Sequence, residues 1–170
     1  EIKEKAKGQL NWLEKILHKV PGFQGYYEWE LRRDSDRLQR EFIVQQLRKV
    51  KNGLNGLLQA ASRKKDFELL RELDQFGKAL EKSIGAIRYA DQGYSGFFDL
   101  IKIREAELDA VYELDAKLAA EAARFSDGFT KLAAASLHEA GPAPLRESLE
   151  QIDALFAQRT AVLEGYGKGA

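Results

Sequence analysis

The chain has 170 residues, 44% of them apolar and 32% charged, with 27 Lys and Arg balanced by 27 Asp and Glu. This is about one domain, long enough to bury a core without covalent staples. It contains no cysteine, which excludes disulfides, thiolate metal sites and cysteine nucleophiles, and no apolar run approaches the roughly 18 residues that a bilayer-spanning helix needs.

Apolar residues recur with a helical period, and no stretch shows sustained alternation with a period of two, so the expected class is all-α. A first helix is predicted over 2–20, with Leu10, Leu13, Ile16, Leu17 and Val20 on one face, stopped by Pro21 and Gly22. A second is predicted over 26–61, with the stripe Leu31, Leu38, Phe42, Ile43, Leu47, Val50, Leu54 and Leu57. Gly53 and Gly56 weaken its last third by about 1 kcal/mol each relative to alanine, and mark either a bend or a close approach of two helices. Asp66 is the expected N-cap of a third helix over 67–90, with Leu70, Leu73, Leu80, Ile84 and Ile87 inward. The longest element is predicted over 97–137, with a seam of Ile101, Leu108, Val111, Leu118, Ala122, Phe125, Phe129 and Leu132. Gly141, Pro142 and Pro144 close it. A fifth helix is predicted over 145–164, with Leu149, Ile152, Phe156 and Leu163 inward, followed by a flexible tail over 165–170.

Short loops between long helices favour antiparallel neighbours, so the pattern predicts a single domain over 1–164: an elongated antiparallel bundle of about five helices, two of them long. A coiled coil completed by a second chain is the alternative. Met is absent even from position 1, so the natural start is expected upstream of Glu1.

Seven residues recur in the same order of chemical type. Gly22-Phe23-Gln24-Gly25-Tyr26-Tyr27-Glu28 is matched 71 residues on by Gly93-Tyr94-Ser95-Gly96-Phe97-Phe98-Asp99. The match extends to Arg33 with Arg104, Asp34 with Glu105, and Leu13 with Ile84, which suggests two related helical hairpins. Each copy feeds a long predicted helix. Glycine permits the tight turn, and an acid in the first turn complements the helix dipole. The aromatic residues either cap the end of the bundle from inside or form a composite surface of Phe23, Tyr26, Tyr27, Trp29, Tyr94, Phe97 and Phe98. In the second case, nearby cations such as Lys15, Lys19, Arg32, Arg88 and Arg104 suit a protein partner, an anionic ligand or a membrane surface.

Between these features lies Glu28–Arg40, dense in alternating charge, whose i,i+4 pairs Glu28–Arg32 and Asp36–Arg40 suit a solvated helix face. Pro21-Gly22, Gly25-Tyr26 and this charged segment, together with Gly93–Asp99, resemble an uncharacterised family of bacterial all-helical proteins. The resemblance covers roughly 25 residues in two pieces. It implies a bacterial source and a helical fold, and it carries over no catalytic residue.

The charge is unevenly distributed. Residues 1–66 hold 15 Lys and Arg against nine Asp and Glu, whereas 67–170 hold 12 against 18. No acid occurs between Phe42 and Lys65, where Arg48, Lys49, Lys51, Arg63, Lys64 and Lys65 form a candidate basic patch. Either this patch meets an anionic partner or the two halves neutralise each other within one fold.

Chemistry finds little support. A di-iron bundle needs Glu-x-x-His motifs, and neither His18 nor His138 has a glutamate three residues before it. Glu14 and His18 stand at i,i+4 and could offer two ligands, the basis of a carboxylate/His metal-binding alternative. The Gly-x-x-Gly loops lack a following Lys-Ser/Thr and a preceding strand, so neither is a phosphate loop. One pair stands out on the inward seams: Asp115 between Val111 and Leu118, and Arg159 between Phe156 and Leu163. A buried charge needs a partner, so these two are expected to meet unless each snorkels to an edge.

The sequence therefore predicts a non-catalytic helical scaffold or adaptor without a cofactor or metal, cytoplasmic, homo-oligomeric, and bound to a protein partner through the aromatic-glycine loops. A peripheral membrane or anionic-ligand binding protein is the alternative. Nucleic acid is not an expected partner, because the basic stretch resembles no recognition module and the sequence pI is about 7.1.

Overall fold

The computed structural model describes residues 31–90, 105–134 and 141–167. These residues form four helices: α1 (Leu31–Lys64), α2 (Phe67–Arg88), α3 (Glu105–Ala134) and α4 (Ala143–Gly167), with no strand among them. The helix predicted over 2–20 and both aromatic-glycine segments lie outside the described residues. The chain divides into two compact units, Glu1–Leu38 and Gln39–Ala170. The first unit includes the opening turns of α1, and the four-helix packing belongs to the second.

α1 runs for 34 residues, about 51 Å, unbroken through Gly53 and Gly56. The two glycines have different settings. A Cβ on Gly53 would collide with the Cε1 edge of the Phe129 ring on α3, whereas one on Gly56 would meet nothing within 4 Å. Gly53 is thus the close approach, and neither glycine breaks the helix.

Three contacts fix the direction of the first hairpin. Arg40 reaches the Arg88 carbonyl, Lys51 pairs with Glu81, and Leu54 packs opposite Gly77, so α1 and α2 are antiparallel. Asp115 meets Arg159 across the Gly141–Pro142 turn, so α3 and α4 are antiparallel too. Gln39 meets Asp115 and Gly53 meets Phe129, which makes α1 parallel to α3. Ser83 meets Asp153 and Glu72 lies beside Gly141, so α2 runs parallel to α4.

The interior is filled from all four helices: Ile43, Leu47, Val50 and Leu54; Leu73, Phe76, Leu80 and Ile87; Leu118, Ala122, Phe125 and Phe129; Leu145, Leu149, Ile152 and Phe156. Phe76 and Phe125 meet edge to face at 6.3 Å across the middle. Phe76, fully buried, continues the 3–4 spacing of Leu73 and Leu80.

The turn from α1 to α2 has two residues. Lys65 takes φ 57°, the Asp66 amide donates to the Ala61 carbonyl at 3.0 Å, and the Lys65 amide donates to the Ser62 carbonyl at 3.1 Å. This is a Schellman closure with lysine where glycine is usual. The Asp66 carboxylate then accepts from the Leu69 amide at 3.1 Å, capping α2. At the other hairpin Gly141 takes φ 59° and α4 starts at Ala143, two residues before the predicted start. It continues through Gly167, so helix extends into the segment expected to be a free tail.

Candidate functional site

At one end of the core the seams turn polar. Asp115 on α3 and Arg159 on α4 are 5% and 3% exposed, and Arg159 Nε donates to Asp115 Oδ1 at 2.5 Å. Each side chain sits where an apolar residue would otherwise fall: Asp115 is three residues before buried Leu118, and Arg159 lies between buried Phe156 and Leu163. The structure therefore brings the two seam charges together in the interior.

Two buried residues of α1 lie at the same level. Gln39 Nε2 donates to the Asp115 main-chain carbonyl at 3.1 Å, and Arg40 Nη1 donates to the Arg88 carbonyl at 3.0 Å at the end of α2. Four polar side chains thus connect all four helices in one layer. Arg40 also neutralises part of the negative end of the α2 dipole, because Arg88 closes that helix. Further along α3, buried Glu121 pairs with Arg124 one turn on, and on α2 Ser83 Oγ donates to Asp153 of α4 at 2.8 Å. Burial pushes the Asp153 carboxyl up from its ordinary value, partly offset by the Ser83 hydroxyl.

The charged segment Glu28–Arg40 does not end on a solvated face. Asp36, Gln39 and Arg40 are buried. The 3–4 seam of Leu54, Val50, Leu47 and Ile43, continued backwards, lands on Arg40 and then Asp36. That register was the available signal, and for Gln39 and Arg40 it outweighs the i,i+4 charge pattern because they meet α3 and α2.

The basic residues are not gathered into one patch. Arg48 and Lys49 are exposed, and Arg63, Lys64 and Lys65 are exposed about 22 Å further along. Lys51 pairs with Glu81, Lys49 Nζ donates to Gln46 Oε1 at 3.2 Å, and Arg63 turns back to the Gln59 carbonyl. The aromatic candidates Phe23, Tyr26, Tyr27, Trp29, Tyr94, Phe97 and Phe98 lie outside the described residues, as do Glu14, His18 and His138. Among the described residues no three His, Asp or Glu side chains are placed to hold a metal ion, and no helix is long and apolar enough to cross a membrane.

The chemistry open to the polar layer is limited. Its carboxylate and guanidinium face each other rather than solvent, and the Gln39 amide is spent on a main-chain carbonyl. Such an arrangement disfavours any register of the two hairpins that would separate the carboxylate from the guanidinium. No protein-family model matches the chain, and comparison with curated proteins and with solved structures returns no match.

Proposed function

We propose that the chain is a non-catalytic helical scaffold or adaptor that holds a protein partner through Phe23, Tyr26, Tyr27, Trp29, Tyr94, Phe97 and Phe98. In this reading residues 2–20 form a fifth helix of an elongated antiparallel bundle in the cytoplasm. The observation that carries it is the parallel alignment of α1 and α3, with Gln39 on Asp115. The two aromatic-glycine segments each precede one of these helices, so both sit upstream of helices that run the same way.

The Tyr26→Ala/Phe97→Ala double variant tests the reading. Wild type is expected to capture a defined partner that the variant loses, while helicity and melting temperature stay unchanged. Equal capture with a melting temperature lowered by 10 °C or more, on the order of 2 kcal/mol or above, assigns the aromatic residues to the bundle interior instead.

An anionic membrane surface is the second reading. It is favoured by Phe67, 75% exposed, beside exposed Arg63, Lys64 and Lys65 at the α1–α2 turn. Flotation with phosphatidylglycerol vesicles, and its loss in Phe67→Ala, tests it.

A further inference from the structure

Among the described residues, most cations of the acid-free stretch on α1 are not neutralised by acids of the other helices. Arg48, Lys49, Arg63, Lys64 and Lys65 are exposed and have no acidic partner among the described residues; of the six cations in the acid-free stretch, Lys51 alone is paired there. On α4 the exposed Glu147, Glu150 and Glu164 likewise have no cationic partner among the described residues. The one buried cation of that helix, Arg159, is spent on Asp115.

These two faces occupy opposite corners. α1 borders α2 through Lys51–Glu81 and α3 through Gln39–Asp115, and α4 borders the same two helices through Ser83–Asp153 and Asp115–Arg159. The cations on α1 fall into two groups 15 residues apart, Arg48/Lys49 and Arg63/Lys64, about 22 Å. On α4, Glu150 and Glu164 are 14 residues apart, about 21 Å. Between the charges both faces carry exposed small residues, Asn52, Asn55 and Gly56 on α1 and Ala154, Ala157 and Ala161 on α4, and the exposed Asp153 adds a further acid to α4. Two such faces can approach closely with their charges in register.

We propose that α1 of one copy docks antiparallel on α4 of a second copy, with Arg63, Lys64 and Lys65 over Glu147 and Glu150, and Arg48 and Lys49 over Glu164. Antiparallel order places the larger cation group against the larger acid group. Because the two faces lie at opposite corners, the contact is heterologous. Each docked copy leaves one basic and one acidic face open, so assembly continues past two copies. None of these charged residues belongs to the aromatic-glycine segments.

Sedimentation equilibrium of the full chain is the test. At low salt the weight-average mass is expected to rise with concentration beyond that of a dimer, and to fall to the monomer at ~0.5 M salt. R48E/R63E/K64E and E147K/E150K/E164K are each expected to be monomeric with unchanged helicity. A one-to-one mixture of the two reassociates, because every interface then again joins opposite charges. Tyr26→Ala/Phe97→Ala assembles like wild type, which separates this surface from the aromatic one. A wild type that stays monomeric up to ~1 mM at low salt overturns the proposal. So does a mixture that fails to reassociate, or a mass that stops at two copies. A monomer that nonetheless floats with anionic vesicles overturns it in favour of lipid.

Discussion

The two ends of the core are built differently. From the middle of the core to the turn end, Leu54, Leu73, Phe76, Phe125, Phe129 and Leu149 fill the interior with hydrocarbon. At the other end, Gln39, Arg40, Asp115 and Arg159 insert hydrogen bonds and one ion pair. Apolar packing contributes most of the cohesive free energy and tolerates repacking. A buried ion pair adds little net stability over an apolar isostere, but it heavily penalises any arrangement that separates its members. The contrast teaches where separating two side chains is costly: at the polar end a slip strands a buried charge, whereas at the apolar end it leaves hydrocarbon that can repack.

The largest expected effects probe that division directly. Phe125→Ala at the apolar end should cost about 3–5 kcal/mol in urea unfolding, with no single change elsewhere restoring it. Asp115→Leu should cost about 3 kcal/mol, yet adding Arg159→Leu should return most of the loss, because the orphaned guanidinium goes with it. If each single substitution costs under about 1 kcal/mol, the polar layer has no aligning role. A smaller contrast lies along α1. Gly53→Ala must displace the Phe129 ring and should lower stability by about 1–2 kcal/mol, while Gly56→Ala should raise it by about 0.5–1 kcal/mol; equal effects at both sites would remove the argument for a tight α1–α3 approach. At the turn, Lys65→Gly relieves a left-handed residue with a side chain and should add about 0.5–1 kcal/mol, read as a shift in urea midpoint.

The smallest effect depends on pH. The Asp153 carboxyl is raised in the fold, so the folded state favours its protonated form. That contribution is fully present below the ordinary carboxylate value and is lost as pH rises through the raised value. Asp153→Asn should therefore be more stable than wild type at neutral pH by a few tenths of a kcal/mol, and the gap should close on acidification. A gap that widens in acid would contradict the assigned cause.

Much of this was legible from spacing alone. The all-helical class, the buried seam residues Leu73, Leu80, Ile84 and Ile87 of α2, Leu118, Ala122, Phe125 and Phe129 of α3, and Leu149, Ile152, Phe156 and Leu163 of α4, the Asp66 cap and the inward positions of Asp115 and Arg159 follow from 3–4 periodicity interrupted by Gly, Pro and Asp, whereas fully buried Phe76 was not among the expected inward residues. The partners of Asp115 were only half visible. Arg159 could be inferred because a charge on one seam demands an opposite charge on another. Gln39 could not, because its acceptor is a main-chain carbonyl, and a carbonyl has no signature in the sequence. Arg40 and Asp36 were hidden by their neighbours: a charge-dense segment looks solvated until the helix register is carried through it. The distinction between Gly53 and Gly56 is purely tertiary, since it depends on where Phe129 arrives from another helix.

The two-residue turn has a kinetic consequence. Asp66 serves two masters: its amide donates to the Ala61 carbonyl near the end of α1, and its carboxylate accepts from the Leu69 amide in the first turn of α2. Fraying of either helix at this point strips the other of its stopper. The last turn of α1 and the first turn of α2 should consequently exchange their amide hydrogens as a single opening unit, with matched protection, rather than as two independent helix ends.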